Sequence, residues 1–148
     1  MANPLITMAA INGVLAVGLG AFMSHSLEGA ISTELLTVFQ TGVSYHMYHS
    51  LAALAAGILS HIFPKSRLLK FSAYSFLLGI AFFSGSLYLL ALTELPKIGM
   101  ITPIGGIFLI SIVTVIESYI ARKKVISYLK TKIEKDTVPL VKKRWFSK

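Results

Sequence analysis

Phe71-Ser-Ala-Tyr-Ser-Phe-Leu-Leu-Gly-Ile-Ala-Phe-Phe-Ser-Gly-Ser-Leu-Tyr-Leu-Leu-Ala-Leu92 runs without a single Asp, Glu, Lys or Arg. A membrane-spanning helix needs about 20 mostly apolar residues, and this stretch supplies them. Three more windows of the same kind accompany it. Between Met1 and Gly29 the only charge is Glu28, and the stretches 35–64 and 98–116 carry none. The four windows predict spanning helices over residues 5–23, 41–62, 71–92 and 101–121. A lone charge at mid-span costs about 2.5–3.5 kcal/mol on insertion scales, so four clean centres carry weight. Asn3-Pro4 reads as an N-cap followed by proline at the first helical position, and Pro64 fits just past the end of the second span. The expected fold is all-α: an integral membrane four-helix bundle, residues 1–121, followed by a cytoplasmic tail, residues 122–148.

Composition points the same way. Of 148 residues, 55% are hydrophobic and 14% charged, against roughly 25% charged in ordinary soluble domains. A water-soluble globule this small has too much surface for so few charges, so the apolar residues face lipid. The chain has no cysteine, which excludes disulfides, thiolate metal sites and cysteine nucleophiles. No Lys or Arg precedes the first apolar stretch, which is also longer than a signal-peptide core. It is expected to be a retained helix.

The Lys/Arg distribution sets the expected orientation. The loop between the first two spans has none, and the loop between the last two has only Lys97. The central loop carries Lys65, Arg67 and Lys70, and ten basic residues follow Ala121. With four spans, that loop and both termini share one side, which the positive-inside rule assigns to the cytoplasm. The net charge of +8 belongs to the tail alone, because the four basic residues before it are balanced by Glu28, Glu34, Glu94 and Glu117. Glu117, about one turn from the cytoplasmic edge, is read as structural. Within the tail, Val125, Ile126, Leu129 and Ile133 recur at helical spacing, and Pro139 ends any helix there. Arg122, Lys123, Lys124, Lys142, Lys143, Arg144 and Trp145 are the candidate contacts to anionic inner-leaflet lipids. No recognition module accompanies the charge, so nucleic acid is not an expected partner.

Lipid gives helices no hydrophobic reason to associate, so close packing falls to small residues. Gly20, Gly42, Gly57, Gly85, Gly105 and Gly106 are the candidate packing positions. Polar residues gather in the middle and outer half of the bundle: His25, Tyr45, His46, Tyr48, His49, Ser84, Ser86, Tyr88 and Thr102. Tyr45, Tyr48, His49 and Ala52 share one helical stripe. His61, at the inner end of the second span, reads as an interfacial residue.

Four stretches in order carry a resemblance: Gly18-Leu-Gly-Ala-Phe-Met-Ser-His25, Phe39-Gln-Thr-Gly-Val-Ser-Tyr-His-Met-Tyr-His49, Phe83-Ser-Gly-Ser-Leu-Tyr88 and Gly99-Met-Ile-Thr-Pro-Ile-Gly-Gly106. From about Gly13 to Ser111 the chain resembles a family of small membrane proteins catalogued as domain of unknown function four-two-three. The resemblance implies a bacterial inner-membrane protein of uncharacterised family, with no established biochemical activity to carry over. The family's usual residue between the two tyrosines is Gln, where this chain has His46, so a two-histidine site is not implied for the family. The basic tail is an addition to the common core.

Two functions compete for the polar cluster. It forms an interhelical hydrogen-bond network in a structural or accessory protein, alone, as a homo-oligomer or with a membrane-protein partner. Alternatively, it forms an outward-facing site around His49 in a small transporter or sensor, since ionisable groups at membrane depth are functional by default. A metal site from His25, His46 and His49 is disfavoured, because zinc takes four ligands and nothing completes the set. No P-loop, dinucleotide fingerprint, paired intramembrane carboxylates or Ser-His-Asp order is present, so neither enzyme activity nor a cofactor is expected.

Overall fold

The computed structural model describes residues 3–110 and 122–133. Those residues are helical apart from short connections, with no strand among them. Helix α1 spans Pro4–Phe22 and continues through one π turn, Met23–Leu27. Its start is capped by Asn3, whose side-chain oxygen accepts from the Leu5 N–H at 3.1 Å. Helix α2, Thr33–Ile62, is the longest at 30 residues, capped by Ser32. Helix α3, Arg67–Gly79, passes through a second π turn, Ile80–Ser84, into α4, Gly85–Thr93. A 3₁₀ segment, Pro96–Ile101, leads into α5, Thr102–Leu109.

Two of these helices, Pro4–Leu27 and Arg67–Thr93, are long and apolar enough to cross a membrane; Pro96–Leu109 is apolar but shorter. Both run past the expected spans 5–23 and 71–92, because a capped helix outlasts its apolar window. Likewise α2 begins eight residues before the expected span 41–62. Its first turn holds Glu34, which a hydropathy reading rejects and a helix N-terminus accepts. Of the expected fourth span, residues 111–121 lie outside the described residues, as does Glu117.

The core of the first three helical passes is built in layers, each taking one buried side chain per pass. Leu5, Ala56 and Ala73 form one, Ala9, Ala53 and Phe76 the next, and Leu27, Phe39 and Ala91 the last. Alanine at so many of these positions lets the backbones approach closely. α2 is the hub, packing against α1, α3 and α4, while α5 packs on α3 and the π turn after it. That last seam is very tight. A methyl on Gly105 would meet the backbone of Phe83, and one on Gly79 would meet the Leu109 side chain. The π turn is therefore the seat of α5.

The other packing glycines vary. A methyl on Gly42 would stand 2.8 Å from Tyr88 Cε1, and one on Gly57 3.3 Å from Ile6 Cγ1. Gly20 and Gly106 lie at ordinary contact distance from Val43 and Phe83, and Gly85 faces open space.

Two units divide the chain after Thr114. In the second, residues 122–133 are helical, with the Thr131 hydroxyl donating to the Ser127 carbonyl at 3.0 Å. Arg122, Lys123 and Lys124 are exposed on that helix. Lys142, Lys143, Arg144 and Trp145 lie outside the described residues.

Candidate functional site

Between the second and third apolar layers a polar one interrupts the core. His46 on α2 is buried, with 5% of its surface exposed. Its Nδ1 lies 3.1 Å from the Tyr88 hydroxyl of α4, and its Nε2 lies 3.2 Å from Asn12 Oδ1 of α1. One imidazole thus joins three helical passes. The proton positions follow from the outer members. Asn12 donates its amide N–H to the Met8 carbonyl at 2.9 Å, which leaves its oxygen facing His46. That oxygen requires an N–H at Nε2, so Nδ1 accepts from the Tyr88 hydroxyl. A neutral imidazole satisfies both ends.

The local sequence holds this geometry in place. Gly42, one turn before His46, leaves room for the Tyr88 ring, which rests on Phe39 with centroids 4.7 Å apart. Ser50, one turn after, donates to the His46 carbonyl at 2.8 Å. His46 stands 13 residues from Thr33 and 16 from Ile62, about 20 Å and 24 Å along the axis at 1.5 Å per residue. The layer therefore sits near the middle of α2.

The remaining polar residues go elsewhere. Ser86 donates to the Phe83 carbonyl at 2.8 Å and lies 2.8 Å from Thr102 Oγ1, so the Thr102 hydroxyl donates to it and ties α5 to α4. Ser84 is fully buried in the π turn and its hydroxyl has no partner among the described residues. Tyr45 and Tyr48 turn outward, 43% and 63% exposed. His49 goes with them. Its Nδ1–H donates to the Tyr45 carbonyl at 2.8 Å, and its ring stacks on Tyr45 and leans on Phe76. His25 is exposed on the first π turn.

The structure thus brings His46 and Tyr88 together, and separately Ser86 and Thr102. It places His49, Tyr45 and Tyr48 on another face of α2, and His25 away from all of them. Among the described residues no three His, Asp or Glu side chains are grouped to hold a metal ion. Sequence reasoning missed Asn12. Its signal was available, since Asn12 is the single amide within an otherwise apolar stretch of the first span.

An all-helical chain with helices long and apolar enough to cross a bilayer, stitched internally by hydrogen bonds, has the make-up of a polytopic membrane protein. Comparison with known proteins supplies the family. Residues 19–106 match the family described as Protein of unknown function (DUF423). The UPF0382 membrane protein YwdK of Bacillus subtilis is 43% identical over 112 residues, covering 75% of this chain and 91% of the relative. The UPF0382 membrane protein SSP2132 of Staphylococcus saprophyticus is 46% identical over 105 residues, covering 71% and 86%. A UPF0382 membrane protein of Haemophilus influenzae is 40% identical over 111 residues, covering 74% and 88%. The chain belongs to this family of bacterial membrane proteins. No solved structure matches it.

Proposed function

We propose that this chain is a four-span protein of the cytoplasmic membrane, with both termini inside and a structural or accessory role in the membrane or envelope. One observation carries the reading. Both ring nitrogens of His46 are already engaged by neighbouring helices. Interhelical bonds of this kind average about 0.6 kcal/mol and reach about 1.7 kcal/mol. They serve the bundle by fixing which face of each helix looks inward. Support for the orientation comes from Lys65, Arg67 and Lys70 in the short α2–α3 connection, against none between α1 and α2.

The absence of native cysteine makes the topology directly testable. A cysteine at Gly29 is expected to react with an impermeant thiol reagent added to intact cells, and one at Lys65 only after lysis. The opposite pattern would invert the protein. Stitching is tested at His46. His46→Gln keeps a donor and an acceptor at that point and is expected to accumulate normally, whereas His46→Leu is expected to accumulate poorly. Equal accumulation of the two would remove the structural role from this residue.

The second reading, a small transporter or sensor, draws on the half-buried His49 with its exposed tyrosines. A His49→Ala chain that accumulates normally yet loses a proton-linked or solute-linked response would favour it.

A further inference from the structure

A cleft of about 340 Å³ opens at the end of the bundle where α1 starts, α2 ends and α3 starts. Asn3, Ser60, His61, Lys70 and Tyr74 supply its polar lining, and no carboxylate is among the lining residues. The donors outnumber the acceptors. Lys70 brings a full positive charge. Asn3 uses its oxygen to cap Leu5, which leaves the amide N–H groups unclaimed by that cap. Tyr74 brings a hydroxyl and His61 an imidazole, while the Ser60 hydroxyl is turned to the Gly57 carbonyl at 2.7 Å. The first turn of α1 adds the positive end of a 19-residue helix. A rim of donors and cationic groups without a carboxylate suits a phosphate group.

A second hollow, about 320 Å³ and almost wholly apolar, lies along α1 and α2 and is lined by Ala10, Gly13, Val17, Met47, Leu51 and Leu54 among others. The two hollows follow one seam. Asn3, Ala10 and Val17 are seven residues apart on α1, and Met47, Leu54 and His61 are seven apart on α2, so each set keeps to one helix face. From Asn3 to Val17 the seam rises about 21 Å. That is the depth of one leaflet with its headgroup, within a bilayer of about 40–45 Å.

We propose that this seam binds an anionic glycerophospholipid, with its phosphate held at Lys70, His61, Tyr74 and Asn3 and one acyl chain lying along Gly13, Val17, Leu51 and Leu54. Basic hollows between membrane helices are known to take anionic headgroups. The site requires only that α1 and α2 cross the bilayer, and it is separate from the His46 layer. Failure here leaves the tests above untouched.

The full chain, carried out of phosphatidylcholine vesicles containing a minor fraction of phosphatidylglycerol, is assayed by native mass spectrometry for retained lipid. The expected result is preferential retention of phosphatidylglycerol. Lys70→Gln is expected to reduce that retention about fivefold, which corresponds to the roughly 1 kcal/mol of one juxtamembrane lysine. Gly13→Leu fills the groove at a position where an added Cβ meets nothing within 4 Å, and is expected to reduce retention without disturbing helix packing. Lys70→Arg and Gly13→Ala keep the charge and the open groove, and are expected to retain lipid normally. Loss with Lys70→Gln but not with Gly13→Leu means surface charge alone and overturns the site. So does equal retention of phosphatidylcholine, and so does displacement of the lipid by inorganic phosphate, which would mark a free-phosphate site instead.

Discussion

His46 and His49 stand three residues apart on one helix and have opposite surroundings. His46 turns toward α1 and α4, loses nearly all contact with the outside, and binds through both nitrogens to groups on other helices. His49 turns outward with Tyr45 and uses Nδ1 on its own helix's backbone. The rotation between them, about 300° at 3.6 residues per turn, is enough to separate a stitch between helices from a side chain on the surface. For polar residues within a bilayer, helical phase matters more than depth.

The comparison can be broken most severely at His46 itself. His46→Leu leaves the Asn12 oxygen and the Tyr88 hydroxyl without their partner in an apolar interior. A loss of about 3 kcal/mol is expected, measured by denaturant unfolding in a fixed detergent. Gly42→Ala attacks the same layer from below by pressing a methyl onto Tyr88, with an expected cost of about 2 kcal/mol in the same assay. Tyr88→Phe removes one hydroxyl and keeps the ring on Phe39, so about 1 kcal/mol is expected, together with an unpaired Nδ1 on His46. The smallest effect is expected at the other histidine. His49→Leu should shift stability by no more than about 0.5 kcal/mol, because the helix keeps its backbone bonds and the new side chain suits a lipid-facing position. If His49→Leu destabilised as much as His46→Leu, the contrast between the two faces would be lost.

The helices were legible because charge-free windows are one-dimensional and a bilayer punishes every charge inside them. Their ends were less so. Thr33 to Gln40 begins a helix that hydropathy alone does not see, since Glu34 and Gln40 are polar yet helical. The polar residues of the site were visible as a list, but their grouping was not. Tyr45, Tyr48 and His49 could be assigned to one stripe from their spacing. The partnership of Asn12, His46 and Tyr88 depends on the relative rotation of three helical passes, which no single-helix periodicity contains. Ser86 and Thr102, 16 residues apart, meet only because the 3₁₀ segment returns α5 against α4. Nothing in the composition of Ile80–Ser84 announces a π turn.

That π turn bears on how the chain tolerates changes in length. A turn closed five residues on holds one residue more than the α-helical turn it replaces. Within Ile80–Ser84 the extra residue is absorbed locally, and α4 leaves in the phase that brings Tyr88 to His46. Losing one residue there lets the turn relax to α-helix with the downstream face unchanged. The same deletion in the middle of α2 would rotate every later side chain by about 100° and carry the inward stripe out toward lipid. Length is thus a free variable at one place in this helix and a fixed quantity almost everywhere else.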